Sequence, residues 1–256
     1  MSLYKPSDVS YKDHYKAKKS KIDKYKVYQH NELIEATYKM SLGTKRLMLM
    51  MIALVDPIKG IKSNQMIKIH AKDYAKTCGI DDTVAYRNLI KAVKELVGAQ
   101  IHLYDPKKKK GSIFVISGEA NYDDGAGFIE CSFYPKILPL IQKFKGNFTQ
   151  FKLAESIQFK RFYTIRFYEL LMSKDNDKMG RKVKLSIDEL KIILKVKHLK
   201  TYANFAKLNE VIIKPSIKEI EQKTDLKIKV ELQRFGRRIS HIIFEFKREE
   251  QKDMFK

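Results

Sequence analysis

Cysteines and long apolar runs are scarce in this sequence, and their scarcity excludes several classes of protein. Cys78 and Cys131 are too few for a disulfide framework or a four-ligand zinc site, so we expect two reduced thiols, in the core or near the surface. The longest apolar run, at residues 47–55, has nine residues, whereas a membrane-spanning helix needs about 20. The N-terminus has no apolar stretch that resembles a signal peptide. We therefore expect a soluble intracellular protein.

Common catalytic motifs are missing as well. The phosphate-binding loop GxxxxGK[ST], the zinc-protease motif HExxH and the esterase motif GxSxG do not occur. No two histidines have the spacing of a metal-ligand pair; they are His14, His30, His70, His102, His198 and His241. We predict no metal, no cofactor and no catalytic residue, and therefore a protein that is not an enzyme. An enzyme, either a relaxase-like nuclease or a polymerase accessory with a hidden activity, is an alternative, which metal-dependent nicking or covalent tyrosine–DNA adducts would support.

Acidic residues are heavily outnumbered by basic ones. Lys and Arg number 52 against 30 Asp and Glu, which gives a formal net charge of +22. A surface with this surplus attracts polyanions, so the partner is DNA, RNA or an anionic membrane, and the short apolar runs disfavour the membrane. Lysines are frequent in residues 1–27, which form either a mobile basic arm or a solvated tail without a role.

The first half of the chain has the element order of a winged helix. Helical periodicity alternates with β-rich runs. The patterns predict helices at 31–40, 44–56, 71–78 and 83–97, and strands at 66–70, 101–104, 112–118 and 128–133. The hairpin formed by the runs 101–104 and 112–118 has a turn with four lysines. We interpret it as a wing whose tip faces a phosphate backbone.

The second half repeats this order. Ser186 and Glu189 have the spacing of a capping box at the start of a helix. A longer helix is predicted to begin near Tyr202 and to pass Pro215, where we expect a kink or a local opening. Alternating apolar residues then predict a hairpin with an arginine tip at 226–247.

These patterns together predict an α+β fold of two tandem winged-helix domains. The predicted organisation is a flexible basic arm at 1–27, an N-terminal winged helix at 28–146, a C-terminal winged helix at 147–248 and a tail at 249–256.

Several motifs resemble a known family, the RepB-type replication initiators of iteron-containing bacterial plasmids. In the first half they are N-x-L-x-x-A at 31–36, followed by KRLMLMMIAL. In the second half they are YTIRFYELL at 163–171, LSIDELKIIL at 185–194, Y-x-x-F-x-x-L-x-x-x-V-I-x-P-x-I-x-E-I at 202–220 and TDLKIKVELQRFGRRISHIIFEF at 224–246. The resemblance covers nearly all of residues 28–247, and the second-half motifs in this order are the specific ones.

The resemblance implies a concrete function. Proteins of this kind bind repeated origin sequences, the iterons, as monomers, help to melt an adjacent AT-rich segment, and recruit the host initiator, helicase and primase. As dimers they commonly bind an operator and repress their own gene. The expected location is the bacterial cytoplasm, with the plasmid. A dedicated winged-helix transcriptional repressor would share these sequence features and is the alternative.

The resemblance also implies which domain reads DNA. The second domain supplies the main base-reading helix, whereas the first supplies backbone contacts and the dimer surface. The segment 99–127 of the first domain is expected to rearrange between monomer and dimer.

Exposed polar residues near the start of the predicted Tyr202 helix are the candidates for base reading, because the first turns of such a helix lie deepest in the major groove. They are Lys200, Thr201, Tyr202, Asn204 and Lys207. Candidates for backbone or wing contacts are Arg237, Arg238, Lys107, Lys108, Lys109, Lys110, Arg87, Asn88, Lys91 and Lys94.

Overall fold

The structure is a computed structural model that describes residues 24–105, 108–123, 125–142, 146–174 and 181–249. Nine α-helices are described here: α1 (Asn31–Glu35), α2 (Leu42–Leu54), α3 (Ala71–Cys78), α4 (Asp82–Gly98), α5 (Leu153–Ile157), α6 (Phe162–Met172), α7 (Ile187–Ile193), α8 (Phe205–Leu208) and α9 (Lys214–Lys223). The strands are β1 (Lys26–His30), β2 (Met66–His70), β3 (Gln100–Asp105), β4 (Lys110–Val115), β5 (Ser117–Tyr122), β6 (Phe128–Phe133), β7 (Phe148–Lys152), β8 (Lys182–Ser186), β9 (Leu226–Phe235) and β10 (Arg238–Arg248).

Two three-stranded antiparallel sheets have the same strand order. One is β2–β6–β5 and the other is β8–β10–β9. In both, the first strand follows a long helix, two helical segments come next, and a hairpin completes the sheet. The predicted fold, two winged helices in tandem, is therefore confirmed, although the two halves share little sequence.

The assignment of the first wing is corrected by the sheet topology. The lysine-tipped hairpin β3–β4 forms a separate two-stranded sheet, attached by the bridge between Thr37 and His102. The hairpin that completes the first three-stranded sheet is β5–β6. The sequence concealed this because the strand predicted at 112–118 covers the end of β4 and the start of β5. The chain leaves β4 at Ile116, whose N–H bonds to the carbonyl of Ala99. The lysines thus lie on an inserted hairpin.

Two elements connect the halves of the chain. β7 pairs antiparallel with β1, so the predicted boundary between residues 146 and 147 separates two paired strands. Helix α6 contacts α1 on one side and packs against α9 and β10 on the other. Thr164 Oγ donates to a Glu219 carboxylate oxygen at 2.6 Å, and the rings of Phe167 and Phe244 meet edge to face. The position of the boundary stays a prediction.

Helix α6 has a sequence that mixes apolar and charged residues, as a helix at the surface would, but it is buried on nearly every side. It carries the fully buried charges Arg166 and Glu169. Glu169 lies 2.7 Å from the Lys45 ammonium and 3.1 Å from the Arg166 guanidinium, and Gln29 donates to it at 2.9 Å. Both cations also donate to the hydroxyl of Tyr38. We call these five residues the buried charge cluster.

The buried charge cluster fixes α6 to the N-terminal elements. Arg166 donates to the carbonyls of Ile34 and Ala36 at 2.7 and 2.8 Å, where α1 ends. Burial alone would raise the pKa of the Glu169 carboxyl, but Lys45 and Arg166 outweigh it and hold the pKa below its ordinary value. The carboxylate therefore stays charged and tethers α2 and α6 to each other.

Candidate nucleic-acid interface

The helix that leads to the interface begins as the sequence predicts. Ser186 Oγ accepts from the Glu189 N–H at 3.1 Å, and the Glu189 carboxylate accepts from the Ser186 N–H at 2.7 Å. This is a complete capping box, so α7 has a fixed start. Helix α7 ends at Ile193, and Lys195 adopts a positive φ of 54° that turns the chain towards the next helical segment.

The following α-helix begins later than predicted. Lys200, Thr201 and Tyr202 form a single 3-10 turn, and α8 starts at Phe205. Asn204 is the reason, because its side-chain oxygen accepts from the N–H of Ala206 at 2.8 Å and caps the helix. The first three candidate residues therefore precede the helix.

Helical winding then continues from Phe205 to Lys223 through a wide turn. Residues Asn209–Ile213 form a π-helix, in which the Lys214 N–H bonds to the Asn209 carbonyl. Pro215 follows at once, and its missing N–H and its ring are accommodated by this wide turn. The predicted local opening near Pro215 is confirmed.

The buried face of this helical segment anchors it to the second domain. Leu208, Ile212, Ile213 and Ile220 are all buried in the core, and Phe205 is half-buried against it. On the opposite face Glu210, Lys214 and Lys218 are exposed. The segment is thus held by one face, and the other face is open to a partner and polar except for the exposed Val211.

Four of the five candidate base-reading residues are exposed: Lys200, Thr201, Asn204 and Lys207. Lys207 donates to the Glu210 carboxylate at 3.1 Å, but both side chains are exposed, so the pair contributes little and is easily broken. Tyr202 is half-buried against the core. The pKa of the neighbouring Tyr163 hydroxyl is raised, mainly by the burial of Tyr163 itself and then by the nearby phenol of Tyr202.

A second feature lies in the same domain, the ribbon β9–β10. Its tip is a two-residue turn between Phe235 and Arg238, and Gly236 has a φ of 58°, which favours glycine there. Arg237 and Arg238 are exposed, as the sequence predicted. Sequence reasoning missed Arg234, which is exposed on β9 beside the tip, and Phe235 itself. The apolar alternation of β9 runs through Leu232 and is reversed at Arg234 and Phe235, and this break was a signal that could have revealed both.

The candidates of the first domain lie on two separate elements. On α4, Arg87, Lys91 and Lys94 are exposed and Asn88 is half-buried. Lys94 Nζ lies 4.8 Å from the ring centre of Tyr122 on β5.

On the inserted hairpin, Lys108, Lys109 and Lys110 are exposed, and Lys107 lies outside the described residues. The Lys108 ammonium is 3.5 Å from the Asp105 carboxylate, so one charge of this tip is partly neutralised. The candidates of α4 and those of the hairpin therefore form two cationic areas on different elements.

The residues that could perform metal or thiol chemistry do not assemble into a site in the described part of the chain. No group of three or more His, Cys, Asp or Glu side chains could hold a metal ion within those ranges. Burial raises the pKa of the Cys78 thiol to about 12 and that of the Cys131 thiol to about 11. Both thiols are therefore protonated at neutral pH and poor nucleophiles, and both lie in the core rather than near the surface.

No helix within the described ranges has the length and apolar character needed to cross a membrane.

Comparisons with known proteins match both domains. A family model described as "Initiator Replication protein, WH1" matches residues 26–172, and one described as "Initiator Rep protein, WH2" matches residues 186–246. The first range includes β7 and α6, which connect the halves of the chain.

Similar proteins of Escherichia coli cover most of the chain. A "Replication initiation protein" is 26% identical over 232 residues, which are 89% of this chain and 71% of the relative. A "PI protein" is 26% identical over 257 residues, 87% of this chain and 83% of the relative.

A solved structure matches as well, the crystal structure of the Pi initiator protein in complex with iteron DNA. It is 25% identical with a TM-score of 0.77, and the match covers 89% of this chain and 99% of that chain.

Proposed function

Because the chain belongs to the initiator replication protein family, with matches to both its WH1 and its WH2 model, we propose that it initiates plasmid replication by binding iterons. The observation that carries this proposal is that the second domain contains both a helix anchored in the core by one face, with mainly polar residues on the other, and an arginine-tipped ribbon. A protein of the same overall fold has been crystallised with iteron DNA. The charge of +22 supports a nucleic-acid ligand.

The helix of the second domain would read bases in the major groove. Lys207 is exposed on α8 and can reach guanine acceptors once its weak pair with Glu210 opens. Lys200, Thr201 and Tyr202 lie on the preceding 3-10 turn, at the end of the helix that enters a groove first. Because the Asn204 oxygen caps the helix, its amide N–H groups remain as donors.

The other cations would hold the phosphate backbone. Arg237 and Arg238 on the β9–β10 tip suit this role, since guanidinium groups bond phosphate in a bidentate way. In the first domain, Arg87, Asn88, Lys91 and Lys94 on α4 and Lys107 to Lys110 on the inserted hairpin are the candidates. The β5–β6 hairpin is a poor candidate for contact with the phosphate backbone, because its tip carries the negatively charged, exposed Asp123.

The protein would act on DNA without catalysis. Family membership identifies a DNA-binding replication initiator, and we infer that binding energy alone deforms and opens the origin. We infer further that it works in the bacterial cytoplasm, recruits the host initiator, helicase and primase, and represses its own gene as a dimer.

A monomer–dimer equilibrium is part of this proposal, with residues 99–127 rearranging between the two states. This segment contains the inserted hairpin, which is joined to the rest of its domain mainly at its base. Analytical ultracentrifugation with and without a single-repeat duplex tests the idea. The expected result is a monomer on the repeat, and a dimer that stays intact on it contradicts the equilibrium.

Footprinting on the DNA immediately upstream of the gene tests the proposed ligand. We expect protection of tandem direct repeats with a regular spacing. A Lys207→Ala variant, purified and folded as the wild type, should protect the same DNA only at higher concentration. Absence of protected repeats in the flanking DNA would refute iteron binding by this chain.

A further inference from the structure

Phe235 is a large apolar side chain placed in solvent. It is 85% exposed, more than any other large hydrophobic residue in the described ranges. Burying a phenylalanine side chain is strongly favourable, so a ring held this far from the core is an energetic disadvantage unless a partner covers it. The ring is the last residue of β9, beside the turn at Gly236.

The ring projects from the body of the domain. Strand β8 pairs with β10 only between His241 and Glu245, so the ribbon beyond His241 has no third strand. Two paired positions of β9, Arg234 and Phe235, lie on this free end, which extends roughly 7 Å past the sheet. The pairing register also shifts between Ile239 and His241, and such a bulge twists and re-aims the end of a ribbon.

The surroundings of the ring are cationic. Arg234, Arg237 and Arg238 are all exposed within three positions of it. Glu231, the acidic residue nearest to it along β9, already pairs with Lys229 at 3.0 Å. A partner that covers this tip must therefore combine negative charge with a flat apolar face, and nucleic acid offers both, in its phosphates and its bases.

We propose that Phe235 stacks on a DNA base while the neighbouring arginines hold the adjacent phosphates. The proposal rests on the proposed function and deepens it. The base on which Phe235 stacks can belong to one of two forms of DNA. In duplex DNA the ring would enter a base step as a wedge from the minor groove, and in an opened strand it would stack on an unpaired base. A wedge unstacks the step and kinks the duplex, and a stack on an unpaired base holds the strands apart. Either contact assists origin opening.

The chain itself offers a clean probe, because it contains no tryptophan. A Phe235→Trp variant places the only indole of the protein at the tip. An Ile58→Trp variant is the matched control, since Ile58 is 78% exposed and lies in the first domain between α2 and β2. The DNA probes are an alternating dA–dT duplex and a dT single strand of equal length. Anisotropy of dye-labelled DNA reports binding independently of the indole.

At saturation with at least one DNA probe, we expect the emission of Phe235→Trp to fall to roughly half or less, because a stacked indole is quenched. The Ile58→Trp emission should change little. Quenching by the duplex alone identifies the wedge, and quenching by the single strand alone identifies the opened strand. Phe235→Ala should weaken binding to the quenching probe by about tenfold, and Phe235→Tyr should restore it.

Two results would overturn the inference. One is saturated DNA binding with unchanged indole emission. The other is an indole already shielded in the DNA-free protein, because the tip would then be covered by a second protein copy. Absence of protected repeats in the footprinting experiment would instead count against the proposed function, so the two failures are distinguishable.

Discussion

At the scale of single residues, the buried charge cluster determines how tightly the N-terminal elements are held. Glu169 balances the charges of Lys45 and Arg166 in a fully buried site. Removing one partner of such a cluster leaves the others charged and desolvated. The cluster could not be predicted from the sequence, because Arg166 and Glu169 resemble ordinary surface residues of an amphipathic helix. Their burial depends on α1 and α2, which cover the outer side of α6.

The Glu169→Gln substitution should therefore be strongly destabilising. We expect the free energy of unfolding to fall by about 3–5 kcal/mol in urea titrations. The exposed pair of Lys207 and Glu210 provides the control, and Glu210→Gln should cost less than about 1 kcal/mol. Similar losses in the two variants would contradict the structural role of the cluster.

The same residue predicts a dependence on pH. The pKa of Glu169 in the folded protein lies below its ordinary value of 4.5. Its contribution to stability is therefore complete above that value and is lost as the pH falls through the lower, folded pKa. Urea titrations at decreasing pH should show a falling free energy of unfolding, and this fall should be smaller in Glu169→Gln. An equal acid dependence in both proteins would show that Glu169 is not the titrating group.

Lys207 distinguishes base reading from backbone contact. If it bonds a base, Lys207→Ala should lose affinity for the protected repeat by about 1–3 kcal/mol and lose far less on scrambled DNA. If it touches phosphate, the loss should be uniform across sequences, and the slope of log affinity against log salt should decrease by about 1. Fluorescence anisotropy across a salt series measures both quantities. Our proposal expects the first result.

At the scale of elements, local sequence rules were sufficient where the interactions are local. The capping box at Ser186, the opening before Pro215 and the β9–β10 ribbon were all predicted from nearby residues. The start of the interface helix was predicted too early, because Tyr202 continues the helical spacing whereas Asn204 caps the helix three residues before Lys207. The first wing was misassigned because strand partners are chosen across the chain, and nothing in the run 112–118 indicates where one strand ends.

The capping box gives a prediction for one element. Ser186→Ala removes the acceptor for the Glu189 N–H and should lower the free energy of unfolding by about 0.5–2 kcal/mol. Ser186→Asp should retain most of the stability, since aspartate also caps helices. Ser186 caps a helix and is not a candidate DNA contact. Ser186→Ala should therefore weaken DNA binding only to the extent that it unfolds the protein. A stable Ser186→Ala protein would show that tertiary packing alone fixes the start of α7.

At the scale of the whole molecule, charge and fold lead to the same conclusion. The net charge of +22 predicts a nucleic-acid partner without indicating where it binds. The duplicated sheet topology provides two winged helices, of which the second combines an exposed helix face with a cationic ribbon. The first has an acidic β5–β6 tip and an inserted lysine hairpin, so the two domains are not equivalent as DNA-binding units. The sequence predicted the duplication, but it could not predict this asymmetry.

Replication in trans tests the central claim most directly. A plasmid that carries the DNA flanking the gene, but not the gene, is introduced into cells that express the protein from elsewhere. The account predicts that this plasmid is maintained with the wild-type protein and lost with a variant that has Lys207→Ala and Arg238→Ala together. If the wild-type protein binds the flanking repeats but does not maintain the plasmid, it is a repressor and not an initiator.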